Sequence, residues 1–314
     1  MVRFSIIIPT YNGIRHMKPC LDSILSQDYP DFELIVVDNA SMDGTVEFIR
    51  THYPSVRIVE NHQNRGYAGG CNDGYRVSHG EYILMLNSDT VLFSTCLSEL
   101  DRSISSYPLC GMYAPKILYP DGTINAAGSE ASLSGSAWER GKGEKNGDKY
   151  NEPCEVFGPH GAAALFSREV IEITGGFDED FFLFVEETDL AYRARLAGYS
   201  CRYVPGAVIY HYHGGTVERR SDLALYYLHR NAIWYFIKDF PFPALIFSLP
   251  LLFGRNVLVM LYYILKGQGT IIIKAKRDAI RGLPRFIRKR KEIFMSPGKI
   301  HLHMHLINPN ILMK

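Results

Sequence analysis

Phe4-Ser5-Ile6-Ile7-Ile8-Pro9-Thr10-Tyr11-Asn12 is a β-branched apolar run that stops abruptly in polar residues, and Phe32-Glu33-Leu34-Ile35-Val36-Val37-Asp38-Asn39 has the same form. Short runs of this kind, with helical stretches between them, mark parallel strands covered on both faces. Arg57-Ile58-Val59 and Tyr82-Ile83-Leu84-Met85-Leu86 supply two more. Between the first pair, Met17, Leu21, Ile24 and Leu25 fall at helical spacing, and a second helix is expected over 43–50, after the turn Ser41-Met42-Asp43-Gly44. The first hundred residues therefore predict an α/β unit built from βαβ elements.

Outward from that core the pattern changes. Residues 121–151 turn to Gly, Ser, Lys and Glu with little periodicity, which predicts a long polar excursion of the kind that forms a lid. The apolar pattern resumes at Val156, with a helix expected over 189–197 and a strand over 199–210. At 314 residues the chain can bury a full core, and a net charge of +1 with 21% charged residues excludes a globally basic nucleic-acid binder. Six cysteines without a CxxC pair read as buried thiols of a reducing compartment. The N-terminus runs straight into a strand with no secretory pattern, so a cytoplasmic location is expected.

In a parallel α/β sheet, ligands sit beyond the C-terminal ends of the strands. Those ends are polar here: Pro9-Thr10-Tyr11-Asn12, Asp38-Asn39-Ala40-Ser41 and Asn87-Ser88-Asp89. A strand-end carboxylate can also be a simple helix cap, but three such ends converge. Magnesium or manganese needs only one or two protein carboxylates when phosphate completes the shell, so Asp89 suffices as an anchor. No GxGxxG follows the first strand and no Walker motif occurs, which sets aside hydride transfer and P-loop hydrolysis. Farther on, Glu186, Glu187 and Asp189 follow the aromatic wall Phe181-Phe182-Leu183-Phe184. A carboxyl beside apolar rings has its pKa raised toward the range of a general base, and Glu187 is the sharper candidate. For Asp189, favourable interaction with the helix dipole is an equal explanation. The strand ending at His211 brings an imidazole that either joins Asp89 on a metal or serves as a structural donor.

Taken in order, these segments resemble the family 2 glycosyltransferases of GT-A fold, in particular the branch of rhamnosyl- and galactofuranosyltransferases. The nucleotide half is carried by residues 5–12, 36–45, Asn64-Arg65-Gly66-Tyr67-Ala68-Gly69-Gly70-Cys71-Asn72 and Leu86-Asn87-Ser88-Asp89. The acceptor half is carried by Gly175-Gly176-Phe177-Asp178-Glu179, by Glu186 to Leu190 and by Val208-Ile209-Tyr210-His211. The resemblance spans roughly 3–235 and implies a GT-A domain over 1–235 with a helical, basic extension over 236–314. It implies that Pro9, Thr10, Tyr11, Asp38 and Asn39 hold base and ribose, with Arg65 and Gly66 near base or phosphates and Asn87 beside them. It implies Asp89 and His211 on Mn2+ or Mg2+, and Glu187, with Glu186 as its neighbour, in the place of the base. Two departures stand out: Asn87 replaces the first acid of the metal motif, and Glu186-Glu187 replaces the usual Glu-Asp. The activity implied is inverting transfer from a nucleotide-diphosphate sugar, dTDP-rhamnose or a UDP-sugar, to a hydroxyl of a cell-surface or lipid-linked glycan. The rivals are a sugar-1-phosphate nucleotidylyltransferase, whose basic Gly-rich triphosphate loop is missing, and an inactive membrane-tethered nucleotide-sugar binding protein.

The last eighty residues read as membrane-associating. Ala244 to Leu265 is apolar but interrupted by Pro250, Gly254, Arg255 and Asn256, so two interfacial or re-entrant helices are expected, not a span. Behind them Lys274, Lys276, Arg277, Arg281, Arg285, Arg288, Lys289, Arg290 and Lys291 form a basic run suited to anionic lipid. A pair of core-packing helices followed by a solvated basic face is the competing explanation. The combined expectation is a protein lying on the cytoplasmic face of the cell membrane as a peripheral or monotopic enzyme.

Overall fold

The computed structural model describes residues 2–132, 136–212 and 221–295. Its N-terminal half is the expected alternation: β1 (Phe4–Thr10), α1 (Ile14–Leu25), β2 (Phe32–Asp38), α2 (Thr45–His52), β3 (Arg57–Glu60), α3 (Gly66–Arg76) and β4 (Tyr82–Leu86). β1 pairs in parallel with both β2 and β4, and β2 with β3. The two-residue period of β1 divides it between two cores. Phe4, Ile6 and Ile8 pack with Met17, Leu21 and Ile24 of α1, while Ile7 meets Ala68 and Cys71 of α3 on the other face. Gly74 lets α3 lie directly on the sheet, since a Cβ there would come within 2.3 Å of Ile7 Cγ2.

The chain continues through β5 (Thr90–Leu92), α4 (Cys96–Ser106), β6 (Met112–Leu118), β7 (Ile124–Ala127), β8 (Ser129–Ala131), β9 (Ala137–Glu139), β10 (Glu155–Val156), β11 (Ala163–Ser167), α5 (Arg168–Thr174), α6 (Glu186–Leu196) and β12 (Cys201–His211). The main sheet runs β10-β12-β6-β11-β4-β1-β2-β3, with β5 on β12 and β7 on β6. β11 is antiparallel to both its neighbours, so the sheet is mixed. Residues 121–151 depart from the expected polar excursion. Ile124, Ala126, Ala127 and Ala131 are buried, β7 extends the sheet and β8 pairs with β9. Small apolar residues between glycine-rich turns dilute the composition below what periodicity can detect. The six cysteines are free, with Cys110 and Cys154 only half-buried.

Three helices close the described chain: α7 (Asp222–Asp239), α8 (Phe242–Leu265) and α9 (Gly269–Met295). The boundary expected after residue 235 falls inside α7. α9 returns against α7, with the Trp234 and Phe286 rings stacked 4.4 Å apart. α8 is one continuous helix, not the two expected. Pro250 removes a single backbone donor from 24 residues, and Asn256 bonds back to the Leu252 carbonyl at 2.7 Å. Nor does the whole basic run face outward. Helical periodicity turns Lys276, Lys289 and Arg290 inward, where Lys289 pairs with Asp178 and Asp180 and Arg290 donates to the Phe240 carbonyl at the end of α7.

Candidate active site

The polar ends of β1, β2 and β4 gather along one edge of the sheet. Register pairs Thr10 with Asp38. Thr10 Oγ1 and Asp38 Oδ1 are buried without a hydrogen-bond partner among the described residues, although Asp38 Oδ2 accepts the Ser41 N–H at 2.9 Å. Unsatisfied buried oxygens of this kind suit a ligand's hydroxyl or amide donors. Pro9 is buried and Tyr11 half-buried beside them. A cleft of about 610 Å³ opens there, lined by Asp38, Ser41, Thr45, Glu60, Asn61 and His62 among others. The adjoining loops are pinned to each other: Asn12 N–H donates to Ser41 Oγ and Met42 N–H to Asn12 Oδ1, both at 2.8 Å.

Asn39, Arg65 and Gly66, expected near base or phosphates, also make contacts within the protein. Asn39 donates to the Gly66 carbonyl at 3.0 Å and accepts from Asn61 at 3.0 Å. Arg65 is paired with Asp73 at 2.8 Å and Glu179 at 2.5 Å. Gly66 has φ +69, and a Cβ there would sit 2.2 Å from the Phe182 carbonyl oxygen. Together they join the start of α3 to the turn that precedes Glu186.

Past β4, Asn87 N–H donates to the Ala162 carbonyl at 3.0 Å and Asp89 lies nearly buried. The antiparallel ladder between β5 and β12 sets His211 opposite Thr90 and brings its Nε2 to 3.3 Å from Asp89 Oδ1. Its Nδ1 lies 3.3 Å from Asn125 Oδ1 on β7. A carboxylate beside an imidazole whose second nitrogen is held by an amide oxygen is the donor chemistry of a divalent-cation site. The residues fit such an ion with phosphate oxygens completing its shell. Among the described residues no cluster of three His, Cys, Asp or Glu could hold a metal by itself.

Glu186 and Glu187 occupy the first turn of α6. The turn leading in places Phe182, Phe184 and Val185 at φ +65, +66 and +74, a left-handed backbone that is costly for aromatic and β-branched residues. Glu186 is buried and its Oε2 has no partner among the described residues; burial, and then the neighbouring Glu187, raise its pKa well above the usual range. Glu187 is only partly buried. Burial raises its carboxyl too, and the nearby His160 opposes that. Burial thus disfavours the charged form of both carboxyls, and Glu186 is the more enclosed of the two. Asp189, by contrast, is buried between Arg193 and Lys238, each at 2.5 Å, and is a structural ion pair.

Residues not singled out from sequence connect the two acidic corners. The His160 ring lies 6.1 Å from that of His211, and its Nε2 lies 3.8 Å from Glu139 Oε1 on β9. His160 Nδ1 accepts the Ala162 N–H at 3.0 Å, so in the neutral ring the proton sits on Nε2 and faces Glu139. Gly161 follows close against Glu187, where a Cβ would be a tight 3.3 Å from Glu187 Cδ. The turn Gly158-Pro159-His160-Gly161 was the one available signal.

The family model for Glycosyl transferase family 2 matches residues 5–174. N-acetylglucosaminyl-diphospho-decaprenol L-rhamnosyltransferase of Mycobacterium tuberculosis is 26% identical over 259 residues, covering 74% of this chain and 83% of that protein. The uncharacterized protein y4gI of Sinorhizobium fredii is 31% identical over 238 residues, 69% of this chain, but the chain spans only 26% of that relative's length. Among solved structures, S. aureus TarS 1-349 superposes with a TM-score of 0.60 at 18% identity over 95% of this chain and 87% of its own. The mannosyltransferase PcManGT of Pyrobaculum calidifontis, in complex with GDP-Man and Mn2+, superposes with a TM-score of 0.55 at 20% identity, covering 94% and 88%. These likenesses establish the GT-A fold.

Proposed function

The chain belongs to glycosyltransferase family 2, and on that premise we propose that it moves a sugar from a nucleoside diphosphate to an acceptor hydroxyl by a single inverting displacement. The observation that carries this reading is the convergence of three groups at one edge of the sheet: the unsatisfied Thr10 and Asp38 oxygens, the Asp89–His211 pair at 3.3 Å, and the raised carboxyl of Glu187. Thr10, Asp38 and the Tyr11 loop would take base and ribose. A divalent cation, Mn2+ or Mg2+, held by Asp89 and His211 would supply Lewis-acid neutralisation of the diphosphate charge. Glu187 accepts the acceptor's hydroxyl proton as that oxygen bonds to the anomeric carbon, and the bond from that carbon to the β-phosphate oxygen breaks on the opposite face. The nucleoside diphosphate leaves with the bonding pair, so no covalent sugar-enzyme bond is needed. The rhamnosyltransferase likeness supports a lipid-linked acceptor and a rhamnosyl donor, and the likeness to TarS in complex with UDP-GlcNAc keeps a UDP-sugar beside dTDP-rhamnose as the proposed donor.

The reading extends to the membrane. α8 exposes Phe247, Phe253, Leu258 and Leu265 along a helix long and apolar enough to cross a bilayer. Its packing favours lying at the surface: Lys276 bonds both to Asn256 in mid-α8, at 2.5 Å, and to the His229 carbonyl of α7, at 3.1 Å. The middle of α8 is thus tied to the globular domain. On α9, Ile273, Ile280 and Ile287 repeat every seventh residue on the outer face, flanked by exposed Lys274, Arg277, Arg281, Arg288 and Lys291. An apolar stripe beside cations suits the inner, anionic leaflet of the cell membrane.

The test is a panel of nucleotide-sugars incubated with Mn2+ and with polyprenyl-linked glycan acceptors. Nucleoside diphosphate release that depends on acceptor, with the product's anomeric configuration inverted by NMR, is the expected result. Retention of configuration, or pyrophosphate release from a sugar phosphate and a nucleoside triphosphate, would replace this reading.

A further inference from the structure

The strained turn before Glu186 has an unusual support. Every carbonyl from Asp180 to Phe184 is engaged, and most of the donors come from two adjacent residues of α7. Asn231, fully buried, directs the two hydrogens of Nδ2 to three carbonyls, one of them shared: Phe181 at 2.9 Å, Leu183 at 2.9 Å and Phe184 at 2.8 Å. Arg230 donates from Nη2 to those of Asp180 and Phe181, both at 3.0 Å, and from Nε to Asn231 Oδ1 at 2.9 Å. The remaining carbonyl, Phe182, accepts the Tyr67 N–H of α3 at 2.8 Å. Trp234, 4.1 Å from the Arg230 guanidinium, fixes that side chain in turn.

The turn cannot hold this form by its own preference. Phe182, Phe184 and Val185 sit in a region that L side chains rarely adopt, and Val185 is β-branched. Such backbone persists only where its surroundings over-determine it. Asn231 does this with one amide, and its oxygen is oriented by Arg230 so that the amide nitrogen, not the oxygen, meets the carbonyls. None of these side-chain hydrogen bonds reaches the sheet. They end on the segment whose next residues are Glu186 and Glu187.

We infer that Asn231, seated by Arg230, is a positioning residue that holds the turn from Phe181 to Val185 and so sets the Glu187 carboxylate at the acceptor, an inference that rests on the reading of Glu187 as base. Replacing Asn231 strands the carbonyls and releases the left-handed backbone, and a displacement of the base by about 1 Å costs on the order of 10²-fold in rate.

The test is Asn231→Ala in the full chain. Its kcat is expected to fall on the order of 10²-fold, with the nucleoside diphosphate affinity, measured by calorimetry, unchanged. The acid limb of its pH profile moves to lower pH as Glu187 becomes more solvated. Adding Val185→Gly should recover part of the lost kcat, because glycine takes a positive φ without strain; a role confined to helix packing predicts no recovery. Should Asn231→Ala fail to fold, Asn231→Ser keeps one hydroxyl donor and is expected to show an intermediate loss. A folded Asn231 variant with wild-type kcat, an equal loss of nucleotide affinity, or no recovery from Val185→Gly each overturns the inference. Glu187→Gln, run in parallel, separates the two readings. Wild-type transfer by that variant removes the base assignment and what rests on it; an inactive Glu187→Gln beside a fully active Asn231→Ala removes the positioning role alone.

Discussion

Replacing Glu187 by glutamine keeps the side chain's shape and one carbonyl oxygen but abolishes its capacity to take a proton. General-base catalysis contributes about 10²- to 10⁴-fold. Burial raises the Glu187 carboxyl toward the working pH, where a base is better matched to its task, which argues for the middle of that range or above. A loss of about 10³-fold in kcat, about 4 kcal/mol of barrier, is the expected magnitude. The pH dependence has a definite sign. Glu187 works ionised, so kcat/KM rises through its pKa, at a pH above the ordinary carboxylate range, and that limb vanishes in the glutamine variant. Glu186→Gln is the control: burial and then the adjacent Glu187 disfavour the charged form of Glu186, so an amide there is a small change. Its limb should stay in place with a small loss of rate. The assay is initial-rate nucleoside diphosphate release between pH 5 and 9, on the order of the range that brackets such a shift, with calorimetry confirming donor binding. A Glu187→Gln variant within a few-fold of wild type, or a reversed order of the two glutamines, would refute the assignment.

Asp89→Ala should abolish transfer, Asp89→Asn should be nearly as poor, and a chelator should silence the wild type until Mn2+ is restored; full activity in any of these arms removes the metal from the mechanism. Lys238→Met should lower stability by about 3 kcal/mol, read by urea denaturation, because buried Asp189 and Asp178 both lose a partner. Burial raises the Asp178 carboxyl, but Lys238 and Lys289 outweigh it and hold the pKa well below the usual range. The stability this confers is therefore full above the ordinary carboxylate pKa of about 3.9 and is lost as pH falls through the depressed folded value; acid unfolding should show it, and Lys238→Met should flatten that arm. Arg281→Gln with Arg288→Gln should weaken binding to anionic vesicles by about 30-fold, at about 1 kcal/mol per cation, and leave neutral vesicles unaffected in a flotation assay.

The apolar runs of β1, β2 and β4 mark themselves, because a strand buried on both faces has no polar position to confuse its reading. Their polar ends are equally visible, and Thr10, Asp38 and Asp89 could be listed from residue order alone. His160 and Glu139 could not. Their approach to Glu187 and His211 depends on β7, β8 and β9, strands of three or four residues rich in alanine, whose pairing no periodicity reveals. Asn39, Arg65 and Gly66 were visible as a motif, but the seat of α3 against the Phe182 turn that they share was not, because it joins residues more than a hundred apart. The basic run of α9 looked uniform because charge in sequence carries no direction. The helical period divides it, turning Lys276, Lys289 and Arg290 toward the domain and leaving Lys274, Arg277, Arg281, Arg288 and Lys291 outside.

Lys289 pairs with Asp178 and Asp180, Lys238 with Asp178 and Asp189, and Arg230 with the carbonyls of Asp180 and Phe181. These partners lie on or beside the segment leading into Glu187. Phe286 of α9 stacks on Trp234, whose ring in turn lies against Arg230. The helix α9, whose outer face is apolar and cationic, therefore builds with its inner face part of the support of the turn that leads into Glu186 and Glu187. A cut at the apparent boundary near residue 236 would remove Phe286, Lys289 and Arg290 together and expose the Trp234 face of α7. The C-terminal helices are thus a third layer packed on the domain, and on the proposed reading their inner face supports the turn that carries Glu187 while their outer face meets lipid.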